Sequence, residues 1–245
     1  MAVEAQTYLE GMKRGKYNSW YFDEVLPGEE DIYREAQKEY YGQRQQWTID
    51  PDRSVLLVID LQVDFCDPEK GKFWLPANTK MMPRMKEMLA FCRRLDIPIC
   101  FTAHQHHASG RDIGLMGTYL KSTIGSGALE EGTEGAQIFP ELEPRPDEWI
   151  MTHKRRYDSF IDTGLEFWLK GLGRDTIILT GCCTNFCCST TTRTAMQKDY
   201  KVAYPYDLNA TDDPEIHEQV VKTMARGFAR VQSTAEWMRE LEQNR

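Results

Sequence analysis

Thr176 to Gln197 reads TIILTGCCTNFCCSTTTRTAMQ, and the class of the fold turns on this stretch. Thr176-Ile177-Ile178-Leu179 is an apolar run of the kind a strand buried on both faces would have. The chain then turns at Gly181 and enters a segment whose Ala195 and Met196 suit a helix. Four cysteines, Cys182, Cys183, Cys187 and Cys188, sit at this strand-to-helix junction. A thiol at the start of a helix meets unpaired backbone N–H groups and the positive end of the helix dipole, and both favour thiolate. The residues alone leave two readings open: a nucleophile among the four, or four small inert cysteines packed in a core.

The chain has 245 residues, seven cysteines and a formal charge of −8. That length is enough for one large α/β domain. The negative balance argues against a nucleic-acid surface. No stretch approaches the apolar length needed to span a membrane, and the N-terminal segment lacks the apolar core of a secretory signal. An odd number of cysteines, several of them adjacent, suits no disulfide framework and fits a reducing cytoplasm. The spacing CCxxxCC is not a usual zinc pattern, and a helix would scatter the thiols, so no structural zinc is expected there.

Outward from the central stretch, the alternation of strands and helices continues. Ser54 to Ile59 is a near-continuous apolar run ending in Asp60. Met81 to Leu95 reads as a helix with Met85, Met88, Leu89 and Cys92 on one side. Pro98 to Thr102 gives a second buried strand, followed by His104, His106 and His107. The segment from Ala108 to Pro146 is irregular and rich in glycine. Trp149 to Thr152 forms a third strand, with His153 and Lys154 at its end. Thr163 to Gly171 is a helix, Lys201 to Tyr204 a fifth strand, Pro214 to Gly227 a helix, Ala229 to Val231 a sixth strand and Ala235 to Leu241 a last helix. The expected fold is α/β and Rossmann-like, three layers built on a six-stranded, mostly parallel sheet with helices on both faces. Ligands in such sheets gather at the carboxyl ends of the strands, where Asp60, Lys154 and the cysteines fall.

Residues 1–50 differ from the rest. Tyr8, Trp20, Tyr21, Phe22, Tyr40, Tyr41 and Trp47 are spread among charged residues, too aromatic for a disordered tail. They are expected to form an arm separate from the domain at 51–245, laid over the body or over a neighbouring subunit of a homo-oligomer, a tetramer or dimer.

Four segments carry a resemblance. LLVIDLQVDF (Leu56–Phe65), EGTEGAQIFPEL (Glu131–Leu142), KRRYDSFIDTGLE (Lys154–Glu166) and LTGCCTNFCCSTTTRTA (Leu179–Ala195) follow, in order, the signatures of the isochorismatase-like cysteine hydrolases. That family includes nicotinamidases, N-carbamoylsarcosine amidase, ureidoacrylate amidohydrolase and biuret hydrolase. The similarity spans about residues 50–235. It implies that Asp60, Lys154 and Cys187 form a catalytic triad. Cys187 takes the nucleophile's place because the family's pattern is Gly, two residues, Thr, two residues, Cys. The same alignment implies a non-proline cis peptide at Cys182–Cys183 and an oxyanion hole made by the backbone N–H groups of Cys183 and Cys187. Cys182, Cys183 and Cys188 then fall on packing positions of the motif.

The resemblance implies an amidohydrolase working through a thioester, with a small-molecule amide as partner. Relatives that act on isochorismate lack the cysteine, so Cys187 argues against vinyl-ether hydrolysis. Nicotinamidases carry a metal on a motif beginning Asp-x-His after the second strand. Here His104, Gln105 and His106 stand in those places, so no metal and no cofactor is expected. His104, His106 and His107 leave open a metal site, a pocket lining or plain loop residues, and His217 falls on a distal helix. Phe65, His104, His106, Arg155, Arg156, Tyr157 and Phe160 are the candidate substrate-binding residues. Tyr157 and Phe160 resemble the ureido and carbamoyl branch, and the two arginines suit a substrate carboxylate or plain surface charge. The expected substrate is an N-carbamoyl or ureido amide. The alternatives are another small amide, as for nicotinamidases, or an idle binding member of the fold.

Overall fold

In the computed structural model, residues 47–121 and 123–245 are described. The expectation of an arm lies mostly outside them. The elements run β1 (Ser54–Ile59), α1 (Val63–Cys66), α2 (Pro76–Arg94), β2 (Ile99–His104), α3 (Met116–Tyr119), β3 (Trp149–Lys154), α4 (Leu165–Gly171) and β4 (Thr176–Cys182). After β4 come a π-helical turn (Thr184–Cys188), α5 (Ser189–Gln197), β5 (Lys201–Pro205), β6 (Asn209–Ala210), α6 (Pro214–Gly227), β7 (Arg230–Gln232) and α7 (Thr234–Gln243).

The sheet order is β3-β2-β1-β4-β5-β7, with β6 beside β4, and each of its pairings is parallel. The central strands β1 and β4 are buried at every residue, which is why their sequences are apolar without alternation. One face packs Leu56, Val58 and Phe101 against Met85, Met88 and Cys92 of α2 and Trp237 of α7. The other packs Val55, Leu57, Ile177 and Leu179 against Leu169 of α4, Ala195 of α5 and Met224 of α6. The chain winds outward from β1 to β2 and β3, then returns to the far side of β1 as β4. The connections leaving β1 and β4 therefore diverge and open a crevice at the carboxyl ends.

Among the described residues the sheet has seven strands, where the sequence suggests six. The additional strand, β6, is only Asn209–Ala210, and two residues carry no hydrophobic period. It exists because β5 stays paired with β4 only through Ile178↔Ala203, after which Asn209 and Ala210 take over opposite Gly181 and Cys182. The Asn209 amide secures the exchange, donating from Nδ2 to the carbonyls of Leu179 at 3.0 Å and Pro205 at 2.8 Å.

One further detail fixes the crevice. Gly181 has φ +120, and a Cβ there would lie 2.0 Å from the Ile59 carbonyl oxygen, so β1 and β4 approach this closely only over glycine. At the other end of the sheet Trp47 stacks on Trp237 with ring centroids 5.9 Å apart, and the Arg230 guanidinium lies over both rings.

Candidate active site

Asp60 leaves β1 with φ 52, a left-handed conformation that few residues other than glycine adopt. This turns its side chain along the sheet edge toward β2 and β3. One carboxylate oxygen, Oδ2, accepts from Lys154 Nζ at 2.5 Å. The other, Oδ1, accepts from the Thr102 hydroxyl at 2.6 Å. Lys154 Nζ also donates to Cys187 Sγ at 3.3 Å. The three groups thus meet with the ammonium in the middle, Lys154 fully buried and Asp60 nearly so.

Their protonation follows from burial and charge. Burial works against the Lys154 ammonium, but the Asp60 carboxylate and Cys187 beside it outweigh this and hold it above its ordinary value. Burial also raises the Cys187 thiol well above its ordinary value. The Lys154 charge pulls it down and the Asp60 charge pushes it up. At rest the set is an ammonium–carboxylate ion pair beside a neutral thiol. The dipole argument made from sequence is outweighed here, because Cys187 lies buried in the π-helical turn before α5 and desolvation disfavours its thiolate.

The peptide between Cys182 and Cys183 is cis, where the resemblance implied it. Cys182 is fully buried and donates its thiol to the Asp60 carbonyl at 3.3 Å. Cys188 is likewise buried in the core under α5. Cys183 is partly exposed, and its carbonyl accepts from the backbone N–H groups of Phe186 and Cys188, both at 3.1 Å.

Tyr157 stacks on Phe186 with ring centroids 5.1 Å apart. Burial raises its phenol, and the charges of Cys187 and Cys183 add to the rise. Phe186 is half exposed and sequence reasoning passed over it, since an aromatic between two motif positions carries no signal of its own. His104 lies beside Lys154 in the β2–β3 register. It is buried with no hydrogen-bond partner at Nδ1. Burial first, then the Lys154 charge, lowers its pKa to about 3, so the ring is neutral.

The other candidates are placed elsewhere. The Arg155 guanidinium donates to Asp112 at 2.7 Å, to Glu131 and to the Thr152 carbonyl at 2.9 Å. Arg156 donates to the carbonyls of Arg155, Asp112 and Ile113. Phe160 packs on Tyr200 at 5.9 Å, and Phe65 stacks on Phe73 at 6.0 Å. For Arg155 and Phe160 the partners, Asp112 and Tyr200, are ones that sequence distance concealed.

The three histidines at and after the end of β2 do not converge. The ring nitrogens of His106 face the carbonyls of His107 at 3.0 Å and Ala128 at 2.9 Å, and His107 Nδ1 lies 2.8 Å from the Ser109 hydroxyl. Among the described residues no group of three or more His, Cys, Asp or Glu side chains is placed to hold a metal. The donor set therefore does not fit the metal that the nicotinamidase resemblance raises. His217 is closer to the site than its position in sequence suggests. It is buried in α6 with Nδ1 2.8 Å from the Thr184 hydroxyl.

Sequence reasoning also missed the scaffold around Asp60. Gln62 is fully buried. It donates from Nε2 to the carbonyls of His104 and Ala136 at 2.9 and 2.8 Å, and accepts from the His104 N–H at 2.8 Å. Asp64 accepts from the backbone N–H of Leu129 at 2.7 Å and of Lys72 at 3.2 Å. These two residues tie the glycine-rich segment to the loop that carries Asp60. A buried polar residue just after a buried strand is the signal that would have found them.

The family model for the Isochorismatase domain matches residues 54–236. Nicotinamidase 3 of Arabidopsis thaliana is 32% identical over 185 residues, covering 74% of this chain and 85% of that protein. Isochorismatase of Bacillus subtilis (strain 168) is 30% identical over 181 residues, covering 73% of this chain and 55% of that protein. The crystal structure of a cysteine hydrolase from Pseudomonas syringae pv. phaseolicola 1448A superposes with a TM-score of 0.77 at 26% identity, covering 82% of this chain and 98% of that one. No helix among the described residues is long and apolar enough to cross a membrane.

Proposed function

The chain belongs to the isochorismatase family of hydrolases, and on that premise we propose that it is a cysteine-dependent amidohydrolase cleaving the C–N bond of a small N-carbamoyl or ureido amide. The observation that carries this reading is Lys154 Nζ held between Asp60 Oδ2 at 2.5 Å and Cys187 Sγ at 3.3 Å in a buried site. A base, a charge-stabilising cation and a thiol within reach of one another are the parts nucleophilic acyl transfer requires.

In this mechanism Asp60 takes the Cys187 thiol proton as the substrate closes the site. The thiolate attacks the amide carbonyl carbon, and the backbone N–H groups of Cys183 and Cys187 receive the developing oxyanion. Protonated Asp60 gives its proton to the departing nitrogen, the C–N bond breaks, and an amine or ammonia leaves a thioester on Cys187. Asp60 then deprotonates water, which cleaves the thioester and restores the thiol. Lys154 stays protonated throughout and offsets the negative charge that moves between its two neighbours.

The ureido preference rests on the resemblance of the segment after Lys154 to the ureido and carbamoyl branch, within which Tyr157 stacks on Phe186 beside the nucleophile turn. The 32% identity to Nicotinamidase 3 favours a second reading, a pyridine-type carboxamide as substrate. Ammonia release from a panel of ureido, N-carbamoyl and aromatic amides tests both. Turnover of aromatic carboxamides alone moves the substrate class to the second reading, and no release from any compound overturns the amidohydrolase assignment.

A further inference from the structure

We propose that the segment from β6 into α6 is a clamp on the nucleophile turn, with His217 as a positioning residue that acts on Cys187 through Thr184. The inference rests on the amidohydrolase reading and extends it to a residue that touches neither substrate nor thiol. Thr184 and Asn185 stand three and two residues before Cys187, and each is held from this one segment. The Thr184 hydroxyl lies 2.8 Å from His217 Nδ1. The Asn185 side-chain oxygen lies 2.6 Å from the Thr211 hydroxyl. Thr184, Thr211 and His217 are all buried.

The direction of the first bond is determined by His217's surroundings. The ring donates to the backbone of Tyr206, and burial keeps it neutral, with a pKa lowered to about 3. A neutral imidazole has one donor and one acceptor nitrogen. With its N–H used on Tyr206, Nδ1 is the acceptor and the Thr184 hydroxyl donates to it. The ring itself is anchored. It sits in the first turn of α6, where Pro214 opens the helix and Asp213 caps it, accepting from the N–H groups of Glu215 and Ile216 at 2.8 and 3.2 Å.

The nucleophile turn needs such a clamp because it is a π-helical turn, wider than an α-helical one. Its position sets the Cys187 Sγ distance to Lys154 and the aim of the N–H groups that meet the oxyanion. An error of about 1 Å in such a placement costs on the order of 100-fold in rate.

The test uses His217→Leu, Thr184→Val, the double variant and His217→Asn, whose side-chain oxygen approximates Nδ1. The clamp predicts that kcat falls about 10- to 100-fold in both single variants. KM stays within about twofold, the double variant is no slower than either single one, and His217→Asn recovers most of the rate. Because His217→Leu risks misfolding, Thr184→Val, nearly isosteric, carries the test by itself. Folded variants with wild-type kcat overturn the proposal, as does a kcat loss that tracks only a lowered Tm and is not relieved by His217→Asn. A second readout needs no substrate: the pH midpoint of Cys187 alkylation by iodoacetamide, followed by mass spectrometry in the full chain. The clamp predicts the same displaced midpoint in Thr184→Val and His217→Leu and a restored one in His217→Asn. An unmoved midpoint overturns it. If the wild type turns over no amide, the amidohydrolase reading fails, and the alkylation arm still decides the clamp.

Discussion

Thr102 donates its hydroxyl to Oδ1 of Asp60 at 2.6 Å, on the carboxylate oxygen opposite the one that Lys154 holds at 2.5 Å. The proposed base is therefore gripped from β2 and β3 at once, and its plane is fixed before substrate arrives. A hydrogen bond to a charged group contributes roughly 1.5–3 kcal/mol. Thr102→Val keeps the shape and removes the donor. We expect kcat to fall about 10- to 100-fold with KM little changed. Steady-state kinetics on the substrate found by the ammonia screen checks this, and a Val variant with wild-type kcat reduces Thr102 to a packing residue.

Lys154 is the largest buried charge in the site, and its exposure is 0%. Lys154→Met fills similar volume and strands Asp60 as a buried, uncompensated carboxylate. Breaking a buried pair from one side costs about 3–5 kcal/mol. Urea denaturation should show a loss of that size together with loss of turnover. Unchanged stability in the Met variant would contradict a buried ion pair at this position.

Neighbouring cysteines should behave oppositely. Cys187→Ala and Cys187→Ser are expected to fold and to lose amide hydrolysis, because the nucleophile is gone. Cys188 is fully buried in the core, so Cys188→Ala is expected to keep turnover at a stability cost of about 1 kcal/mol. Prolonged chelation should also leave the rate intact, since both His106 ring nitrogens face backbone carbonyls and, among the described residues, no group of three or more His, Cys, Asp or Glu side chains is placed to hold a metal. Equal rates for Cys187→Ser and wild type reject the nucleophile. Chelator inactivation reversed by zinc, manganese or iron rejects the metal-free reading.

The readable and unreadable parts of this chain differ in physical kind. β1 and β4 are legible because strands buried on both faces must be apolar throughout, and α6 because Pro214 and the spacing of its apolar residues mark its start and its face. Asp60 is legible as a charge at the end of such a strand, and Lys154 as one at the end of the partly exposed β3. β6 is not, because two residues have no period, and it is held by Asn209 bonding to carbonyls remote in sequence. The partners of Arg155 and Phe160 are hidden for the same reason. Asp112 and Tyr200, which capture them, are about forty residues away, and nothing local announces such a partner. His217 looked remote because its distance from Cys187 along the chain says nothing of α6 folding back on the turn.

Acid stability tests the two buried histidines together. His104 and His217 have pKa values lowered from 6.5 to about 3. Burial is the main cause for both, and for His104 the Lys154 charge adds to it. The sign follows from linkage. The unfolded chain binds protons on these rings below about pH 6.5, while the folded chain binds them only near 3. Their contribution is thus fully present above 6.5 and is lost as the pH falls toward 3. Each ring adds a slope of at most roughly 1.4 kcal/mol per pH unit. The carboxylates held below their ordinary values by ion pairing, Glu240 and Glu242 among them, start from 4.5 or lower, so they contribute little between pH 6.5 and about 5. Asp207, raised by burial, acts in the opposite sense nearer its own range. Urea midpoints for the wild type at pH 7.5, 6 and 5 should therefore fall with pH. His217→Asn, which removes one of the two rings, should show about half the wild-type slope in that window. A wild-type slope in His217→Asn, or a flat profile in the wild type, is the result that rejects buried neutral histidines at these positions.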